Sequence, residues 1–389
     1  MTKKRRGHGE GSVFERADGK WLAVVELGWS GGRRRRKTAV ARTQKEAGKR
    51  LRELQRSLDD GLPLQGDRLT VGGLLERWLR ESAAPNVRRR TFLGYEAIVL
   101  QHLGPALGRI PLRKLGPADL EAYMREKRKT HSARSVQLHH AVLRRALTVA
   151  ERWQLVSRNV ARLVTAPRVQ RPEITPPTPD QARLLLDGIR GDRLETLYAV
   201  ALALGLRQSE ILGLTWADVD LERSTLTVRH ALQRYRDDDG RLEYHLDEPK
   251  SRRSRRTVSL PAQVADSLRQ HRDRQAFERQ QAASEWRGER WNLVFCDHFG
   301  EPVSGSAVTH QFQDRLKALG LSRWRFHDLR HAAATFLFAQ GVPLRVAMEI
   351  LGHSTIAVTA DTYSHVLPQL QEDAAERVGS LLWGQAQRG

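Results

Sequence analysis

Residues 1–60 show the period-two alternation of hydrophobic and polar positions that is typical of half-buried β-strands. The alternation covers two stretches, residues 12–16 and 21–27, and residues 33–41 can complete a sheet as a third strand. Asp18-Gly19 lies between the first two stretches and is a hairpin turn signal. Thr43 and Glu46 have the spacing of a capping box, which predicts a helix that ends near residue 57. We therefore expect a small three-stranded sheet with one helix.

Residues 67–165 show a helical period instead. Apolar positions recur at the i, i+3, i+4 and i+7 spacing of an amphipathic helix. The first group of these positions is Val71, Leu74, Leu75, Trp78 and Leu79. Later helices are indicated by Tyr95, Ile98, Val99, Leu120, Tyr123, Met124, Val136, Leu143, Leu147 and Ala150. The pattern predicts a compact bundle of four short helices.

A proline-rich stretch, residues 166–177, follows the predicted bundle. Five of the 15 prolines fall between residues 167 and 179, too many for a helix or a central strand. Thr178, Pro179 and Gln181 then form a capping box with proline at the first helical position. We expect an extended linker and a last domain over residues 178–389. The whole chain is predicted to be multidomain and mostly α-helical, with small β elements.

The charge of the 389-residue chain is uneven along its length. Its formal net charge is +21, of which residues 1–60 carry +9, residues 61–165 carry +11 and the remainder +1. Many Lys and Arg contacts to phosphates favour binding to a polyanion such as DNA. The alternative is an Arg-rich composition with a solvated basic face, although such a bias should also affect the last domain.

Composition excludes several other classes of protein. A single cysteine, Cys296, excludes an intramolecular disulfide framework and a cysteine-rich metal site. The longest apolar run has ten residues, about half of what spans a bilayer. The basic N-terminus has no apolar segment behind it, so it does not resemble a secretory signal. We expect a cytoplasmic protein.

Clusters of basic residues mark the surfaces that we expect to face DNA. The predicted third strand carries Arg33, Arg34, Arg35, Arg36 and Lys37, which suit a groove-reading sheet or a solvated loop equally well. The helical segment carries two further clusters, Arg88, Arg89 and Arg90, and Lys127, Arg128 and Lys129.

Two local patterns in the last domain carry possible chemistry. Arg207 and Glu210 have the spacing of one helical face, where a carboxylate can orient a guanidinium, although such pairs are usually exposed surface pairs. Lys250 is followed by four cations, Arg252, Arg253, Arg255 and Arg256. Neighbouring cations lower the pKa of a lysine and make it a better proton donor, whereas a basic hairpin could also simply touch phosphates.

Two further patterns follow towards the C-terminus. His327 and Arg330 share a helical face and can meet one phosphate together. Zinc binding by His327 and His331 is the competing interpretation, but the zinc motif needs Glu after the first histidine, where this chain has Asp328. A buried core histidine is the other alternative. The last pattern is His353 after a glycine, followed ten residues later by Tyr363.

Taken in order, these patterns resemble the catalytic set of the tyrosine recombinases, the family of phage-type integrases typified by lambda integrase. The resemblance extends over nearly the full chain and implies a mixed α+β catalytic domain of the tyrosine recombinase type over residues 178–389. It also implies that residues 1–60 bind arm-type DNA sites and that residues 67–165 bind the core site. The first 60 residues match only in outline.

The resemblance assigns a role to each residue of the set. Tyr363 would attack the scissile phosphate to give a 3′-phosphotyrosine, while Arg207 and Arg330 clamp the non-bridging oxygens. Lys250 would protonate the leaving 5′-oxygen, His353 would donate a hydrogen bond, and His327 would handle the tyrosine proton. Glu210 and Asp328 would orient these groups. Fixed cations suit a phosphodiester that gains negative charge, so we expect no metal and no cofactor.

The resemblance also implies partners and association with the nucleoid of a bacterial host. Four copies would act on two double-stranded attachment sites through a Holliday junction, with a possible DNA-bending protein or excisionase. A helix predicted at about residues 366–385 would pack on its own domain or on a neighbouring copy. The rival functions are DNA relaxation by a type IB topoisomerase and a non-catalytic DNA-binding repressor. The intact catalytic set argues against a repressor, and the arm-like N-terminal domain argues against a topoisomerase.

Overall fold

The chain divides into two compact units, Met1–Arg171 and Pro172–Gly389. The structure is a computed structural model, and it describes residues 11–30, 33–59, 69–169, 176–237, 239–249, 254–352, 375–376 and 378–382. Every helix among the described residues is too short or too polar to cross a lipid bilayer.

The first unit begins with an antiparallel sheet of three strands in sequence order. The strands and the helix that follows them are β1 (Gly11–Glu15), β2 (Trp21–Ser30), β3 (Arg33–Ala41) and α1 (Gln44–Asp59). Ala23, Ala41 and Ala47 form a small core between the sheet and α1. The hydroxyl of Thr43 accepts a hydrogen bond from the backbone N–H of Glu46 at 3.2 Å, which caps the helix as the sequence predicts.

The remainder of the first unit is helical. Its α-helices are α2 (Val71–Trp78), α3 (Arg89–Ile98), α4 (Gly104–Leu107), α5 (Pro117–Arg128) and α6 (Ala133–Arg152). These elements form four continuous helices, as predicted, but the second and the last are longer than the short helices expected. Wider π-helical turns, Leu79–Ala83 and Val99–Leu103, continue α2 and α3, and α6 alone has 20 residues. The apolar stripes found in the sequence do form the core, with Leu75, Leu120 and Leu143 almost fully buried.

The second unit opens on α7 (Pro179–Gly188), whose cap matches the sequence prediction. The backbone N–H of Gln181 donates to the hydroxyl of Thr178 at 3.2 Å, and the amide oxygen of Gln181 accepts from the backbone N–H of Thr178 at 3.0 Å. Up to residue 352, the described residues of this unit form six further α-helices: α8 (Glu195–Leu204), α9 (Gln208–Leu212), α10 (Ala262–Ala282), α11 (Gly305–Ala318), α12 (Phe326–Ala339) and α13 (Leu344–Leu351). Residues 378–382 are also helical.

Short strands make this second unit mixed α+β, as expected. They are β4 (Val219–Asp220), β5 (Thr225–Val228), β6 (Ala231–Arg236), β7 (Leu242–Asp247) and β8 (Arg256–Ser259). β5 pairs with both β4 and β8, and β6 and β7 form a separate hairpin between β5 and β8 in the chain. The core surrounds α8, which is apolar on all sides and buries Leu197, Tyr198 and Val200 completely. The buried end of α8 therefore gives the loop after it a fixed base.

Candidate active site

The loop after α8 places the first arginine of the candidate set. Gly205 ends α8 in the left-handed conformation, with φ of +60°, and Arg207 becomes the N-cap of α9. The sequence put Arg207 and Glu210 on one helical face, which was wrong, because Arg207 precedes the first turn. The two side chains nevertheless pair, with Arg207 Nη1 2.5 Å from Glu210 Oε1.

The carboxylate of Glu210 binds both the side chain and the backbone N–H of Arg207. Its second oxygen, Oε2, accepts from the backbone N–H of Arg207 at 3.1 Å, as in a capping box. The carboxylate is almost completely buried. Burial alone raises the pKa of Glu210, but the charges of Arg256 and Arg207 and the hydrogen bonds from Arg207 outweigh it and leave the pKa below its ordinary value. Glu210 is therefore an anion at neutral pH and fixes the direction of the Arg207 guanidinium.

Arg256 opens β8 and reaches the same carboxylate. Its Nη2 donates to Glu210 Oε2 at 3.1 Å, its Nη1 to the carbonyl of Ser254 at 3.0 Å, and its Nε to the carbonyl of Ile350 at 2.6 Å. The side chain is 7% exposed. The sequence presents Arg256 as one of four cations that follow Lys250, whereas in the structure its side chain is buried inside the second unit. Sequence analysis missed this position because burial cannot be read from a run of arginines.

α12 carries the second motif and begins in the same way as α9. Arg325 is the N-cap, and Asp328 accepts from its backbone N–H at 2.7 Å and from its Nη2 at 2.8 Å. The guanidinium of Arg325 remains 61% exposed. Sequence analysis overlooked Arg325, although the repeated spacing of an arginine three residues before an acid, as in Arg207 and Glu210, was a signal that could have found it.

Arg330 lies two residues after Asp328 and is buried. Its Nη1 donates to the backbone carbonyl of Gly205 at 2.7 Å. Arg207 in turn donates from Nη2 to the carbonyl of Gly352 at 3.2 Å. The two arginines that the sequence predicts to act together are thus fixed by the backbone at the ends of α8 and α13.

His327 lies in the first turn of α12, beside these arginines. Its ring is 5.0 Å from that of His331, in an edge-to-face arrangement. Partial burial, followed by the charges of His331, Arg330 and Arg207, lowers the pKa of His327 to about 4. Burial also lowers the pKa of His331. Because His327 is neutral at physiological pH and still reaches solvent, it can accept a proton.

The site residues differ in how far the structure describes them. It brings together Arg207, Glu210, His327, Asp328 and Arg330. Five others lie outside the described residues: Lys250, Arg252, Arg253, His353 and Tyr363. α13 ends at Gly352, immediately before His353, in a left-handed conformation with φ of +67°. The carbonyl of Gly352 therefore ties the start of the His353 segment to Arg207.

The basic clusters predicted to face DNA lie on two parts of the first unit. β3 contains Arg33, Arg34, Arg35, Arg36 and Lys37, and Arg36 is exposed, 3.9 Å from Glu26. Arg88 caps α3, and Arg89 and Arg90 form its first turn. Lys127, Arg128 and Lys129 end α5, where Lys129 pairs with Glu126 at 2.6 Å. Whether these side chains touch DNA stays a prediction.

Two guanidiniums held by hydrogen bonds, beside a neutral imidazole, form an arrangement that suits an anion with several oxygens. The donors are fixed before any ligand arrives, so charge that develops on a bound phosphate meets cations that need not reorganise. The buried carboxylate of Glu210 orients one of these donors.

Family models match both units. The model described as "Phage integrase family" matches residues 178–369, and "Phage integrase, N-terminal SAM-like domain" matches residues 70–127. An integrase of Streptomyces ambofaciens is 31% identical over 400 residues, covering 98% of this chain and 99% of the relative. A tyrosine recombinase XerC-like protein of Caldanaerobacter subterraneus is 28% identical, covering 89% of this chain and 92% of the relative.

Solved structures show the same fold. The integrase of transposon Tn1549 in complex with transposon right end DNA has a TM-score of 0.66 at 23% identity, covering 80% of this chain and 99% of that one. A lambda integrase tetramer bound to a Holliday junction has a TM-score of 0.56 at 15% identity, covering 91% and 97%. The expected fold class, mostly α-helical with small sheets in separate domains, is confirmed.

Proposed function

Because this chain belongs to the phage integrase family of tyrosine recombinases, enzymes of site-specific DNA recombination, we propose that it cleaves and rejoins DNA through a covalent 3′-phosphotyrosine. The observation that carries the proposal is the fixed pair of arginines. Glu210 and the carbonyl of Gly352 hold Arg207, and the carbonyl of Gly205 holds Arg330. Donors held in this way lower the barrier to phosphoryl transfer by electrostatic preorganisation.

In the proposed reaction, the phenolic oxygen of Tyr363 attacks the scissile phosphorus and forms a P–O bond. The bond to the 5′-oxygen breaks, and Lys250 gives that oxygen a proton. His327 takes the proton of the tyrosine, for which its neutral state suits it. Arg207 and Arg330 hold the non-bridging oxygens, and His353 donates a further hydrogen bond.

A phosphotyrosine ester conserves the free energy of the broken DNA bond. A free 5′-hydroxyl from a second duplex can attack the ester, re-form a phosphodiester and release Tyr363, so rejoining needs no nucleotide cofactor. Two arginines and a lysine supply the positive charge that a metal would otherwise provide. We propose that two such exchanges, through a Holliday junction, integrate or excise a phage or another mobile element at chromosomal sites in the nucleoid.

We assign the DNA contacts to separate parts of the chain. Residues 1–60 bind arm-type sites, residues 67–165 the core site, residues 166–177 link the parts, and residues 178–389 perform catalysis. The exposed basic residues on β3, α3 and α5 support the assignment, since contacts to phosphates position a protein on a duplex.

We also propose that four copies assemble on two DNA sites. The solved lambda integrase tetramer on a Holliday junction supports this assembly. In the predicted helix over residues 366–385, Val378, Leu381 and Leu382 expose 53%, 84% and 63% of their surfaces. An apolar helix face of this kind suits docking on a neighbouring copy.

A suicide substrate tests the proposed chemistry. A duplex with a candidate core site and a nick near the scissile phosphate loses a short fragment after cleavage, so the covalent complex accumulates. We expect a band of protein joined to DNA on a denaturing gel, unchanged by EDTA. Supercoil relaxation without a recombinant product would favour the topoisomerase alternative, and DNA binding without an adduct would favour the repressor.

A further inference from the structure

Arg256 joins three segments that carry the proposed catalytic set. We propose, on the basis of the function above, that Arg256 is a positioning residue for strand cleavage. It holds Arg207, through Glu210, and the backbone that leads into His353 in one fixed arrangement. None of the roles proposed above uses it. It would not touch DNA but would determine where the groups that touch DNA are placed.

The contacts of Arg256 link these segments directly. Nη2 reaches Glu210 Oε2 at 3.1 Å, and Glu210 Oε1 lies 2.5 Å from Nη1 of Arg207. Nε reaches the carbonyl of Ile350 at 2.6 Å, three residues before His353. Nη1 reaches the carbonyl of Ser254 at 3.0 Å, at the end of the segment that begins with Lys250. A planar guanidinium can serve three acceptors in fixed directions, which an ammonium group cannot do.

Gly352 shows how closely the backbone approaches Arg256. A Cβ atom at this position would lie 2.7 Å from Nη1 and 3.0 Å from Cζ of Arg256. The absence of a side chain therefore allows the backbone to lie against the guanidinium. The same Gly352 carbonyl accepts from Arg207 at 3.2 Å. Arg207 and Arg256 thus hold the backbone from Ile350 to Gly352 between them.

Charge gives Arg256 a second effect on Arg207. The carboxylate of Glu210 faces two guanidiniums, Arg207 from its own helix and Arg256 from β8. Without Arg256, the charge of Glu210 would be directed at Arg207 alone and would offset the cation that is to bind phosphate. With Arg256, the three groups keep a net charge of about +1. Arg256 therefore preserves the attraction of Arg207 for the scissile phosphate while Glu210 orients it.

The test compares Arg256 with a partly buried, ion-paired arginine of the same unit. Arg193 pairs with Glu278 at 2.7 Å and donates to the carbonyl of Cys296, and both of these partners lie outside the catalytic motifs. The variants are Arg256→Met, Arg256→Lys and Arg193→Met. For each full-length protein we would measure the single-turnover rate of adduct formation on the suicide duplex, the Kd for that duplex and the thermal midpoint.

We expect Arg256→Met to form the adduct about 10- to 100-fold more slowly per folded molecule, because small displacements of catalytic groups reduce rates by such factors. Its Kd for DNA should stay within about threefold of the wild-type value, since most phosphate contacts lie elsewhere. Arg193→Met should lose thermal stability but cleave at the wild-type rate. Arg256→Lys should form the adduct at a rate between those of the wild type and Arg256→Met.

The pH profile separates positioning from a general loss of structure. Burial raises the pKa of Glu210, and the charge of Arg256 is the largest influence that lowers it. In Arg256→Met the adduct rate should therefore begin to fall at a higher pH on the acid side. Arg256→Lys keeps the charge and should keep the wild-type acid limb. Glu210→Gln should remove the difference between Arg256→Met and wild type in this limb.

Each outcome decides the proposal. It is supported if Arg256→Met cleaves slowly with a shifted acid limb and Arg256→Lys restores that limb. It is overturned if Arg256→Met loses no more rate than Arg193→Met, or if its acid limb does not move. If Arg256→Met does not fold, Arg256→Lys decides by itself, and a wild-type rate in that variant overturns the proposal. An absent adduct in the wild-type protein instead rejects the proposed function itself.

Discussion

Arg330 donates a hydrogen bond from Nη1 to the backbone carbonyl of Gly205, 2.7 Å away, across a sequence separation of 125 residues. Gly205 also determines the position of Arg207, two residues later, because its left-handed conformation ends α8 there. One glycine thus relates the two arginines that we propose to clamp the scissile phosphate. The relationship depends on a backbone carbonyl and a positive φ.

Replacing Gly205 with alanine should disturb both arginines at once. A Cβ atom there would lie 2.5 Å from Cδ2 of Leu351 and 3.1 Å from Cβ of Ala333, at a φ of +60°. Strain and overlap together should lower the free energy of unfolding by about 2 to 5 kcal/mol. We expect the adduct rate per folded molecule to fall by about tenfold or more. Urea unfolding and the suicide duplex provide the two measurements.

Gly320→Ala is the control for the effect of backbone strain alone. Gly320 has a φ of +67°, but a Cβ atom would meet nothing within 4 Å. This variant should lose about 1 kcal/mol and keep the wild-type adduct rate. Equal rates in Gly205→Ala and Gly320→Ala would show that the Gly205 carbonyl does not position the arginines.

His327 should titrate far below an ordinary histidine in the DNA-free protein. Burial and the charges of His331, Arg330 and Arg207 lower its pKa from 6.5 to about 4. Between these values the unfolded chain binds more protons, so stability falls as the pH drops from about 6.5 towards 4. NMR titration should give this pKa directly, and His327→Gln should lessen the loss of stability on acidification.

A bound phosphate should reverse part of that shift. Its negative charge favours the imidazolium, so the pKa of His327 should rise when Tyr363→Phe binds a core duplex. The rise would bring His327 closer to the pH at which an acid/base group is most effective. No change in the pKa of His327 on binding would argue against its role in handling the tyrosine proton.

Removal of residues 1–60 tests the assignment of DNA contacts. This segment carries a net charge of +9, so its loss should weaken binding to duplexes with distal sites and reduce the dependence of binding on salt. Cleavage of a suicide duplex with only the core site should remain within about threefold of the full-length rate. If cleavage of that duplex were lost, the division of roles would be wrong.

Local patterns in the sequence predicted much of the fold. The caps at Thr43 and Thr178 and the apolar stripe through Leu143 follow from residues a few positions apart. The π-helical turns after α2 and α3 could not be predicted from such local patterns, because a widened turn depends on packing rather than on a distinct residue pattern. Helix type and length were therefore predicted less accurately than the position of the core.

In the candidate site too, local spacing predicted some contacts and not others. The pairing of Arg207 with Glu210 was predicted because the two residues are three positions apart, although the helix begins after Arg207. The hydrogen bonds from Arg256 to Glu210 and Ile350 were not predicted, since they join residues that only tertiary packing brings together. A buried arginine and an exposed one look alike in a basic run.

The identity of the residue joined to DNA tests the central claim most directly. The covalent complex from a suicide duplex would be digested with protease and nuclease, and the modified peptide located by mass spectrometry. We predict a nucleotide attached through a 3′-phosphate to Tyr363, lost in Tyr363→Phe and retained in Tyr235→Phe. An adduct on another residue, or one that persists in Tyr363→Phe, would contradict the proposed mechanism.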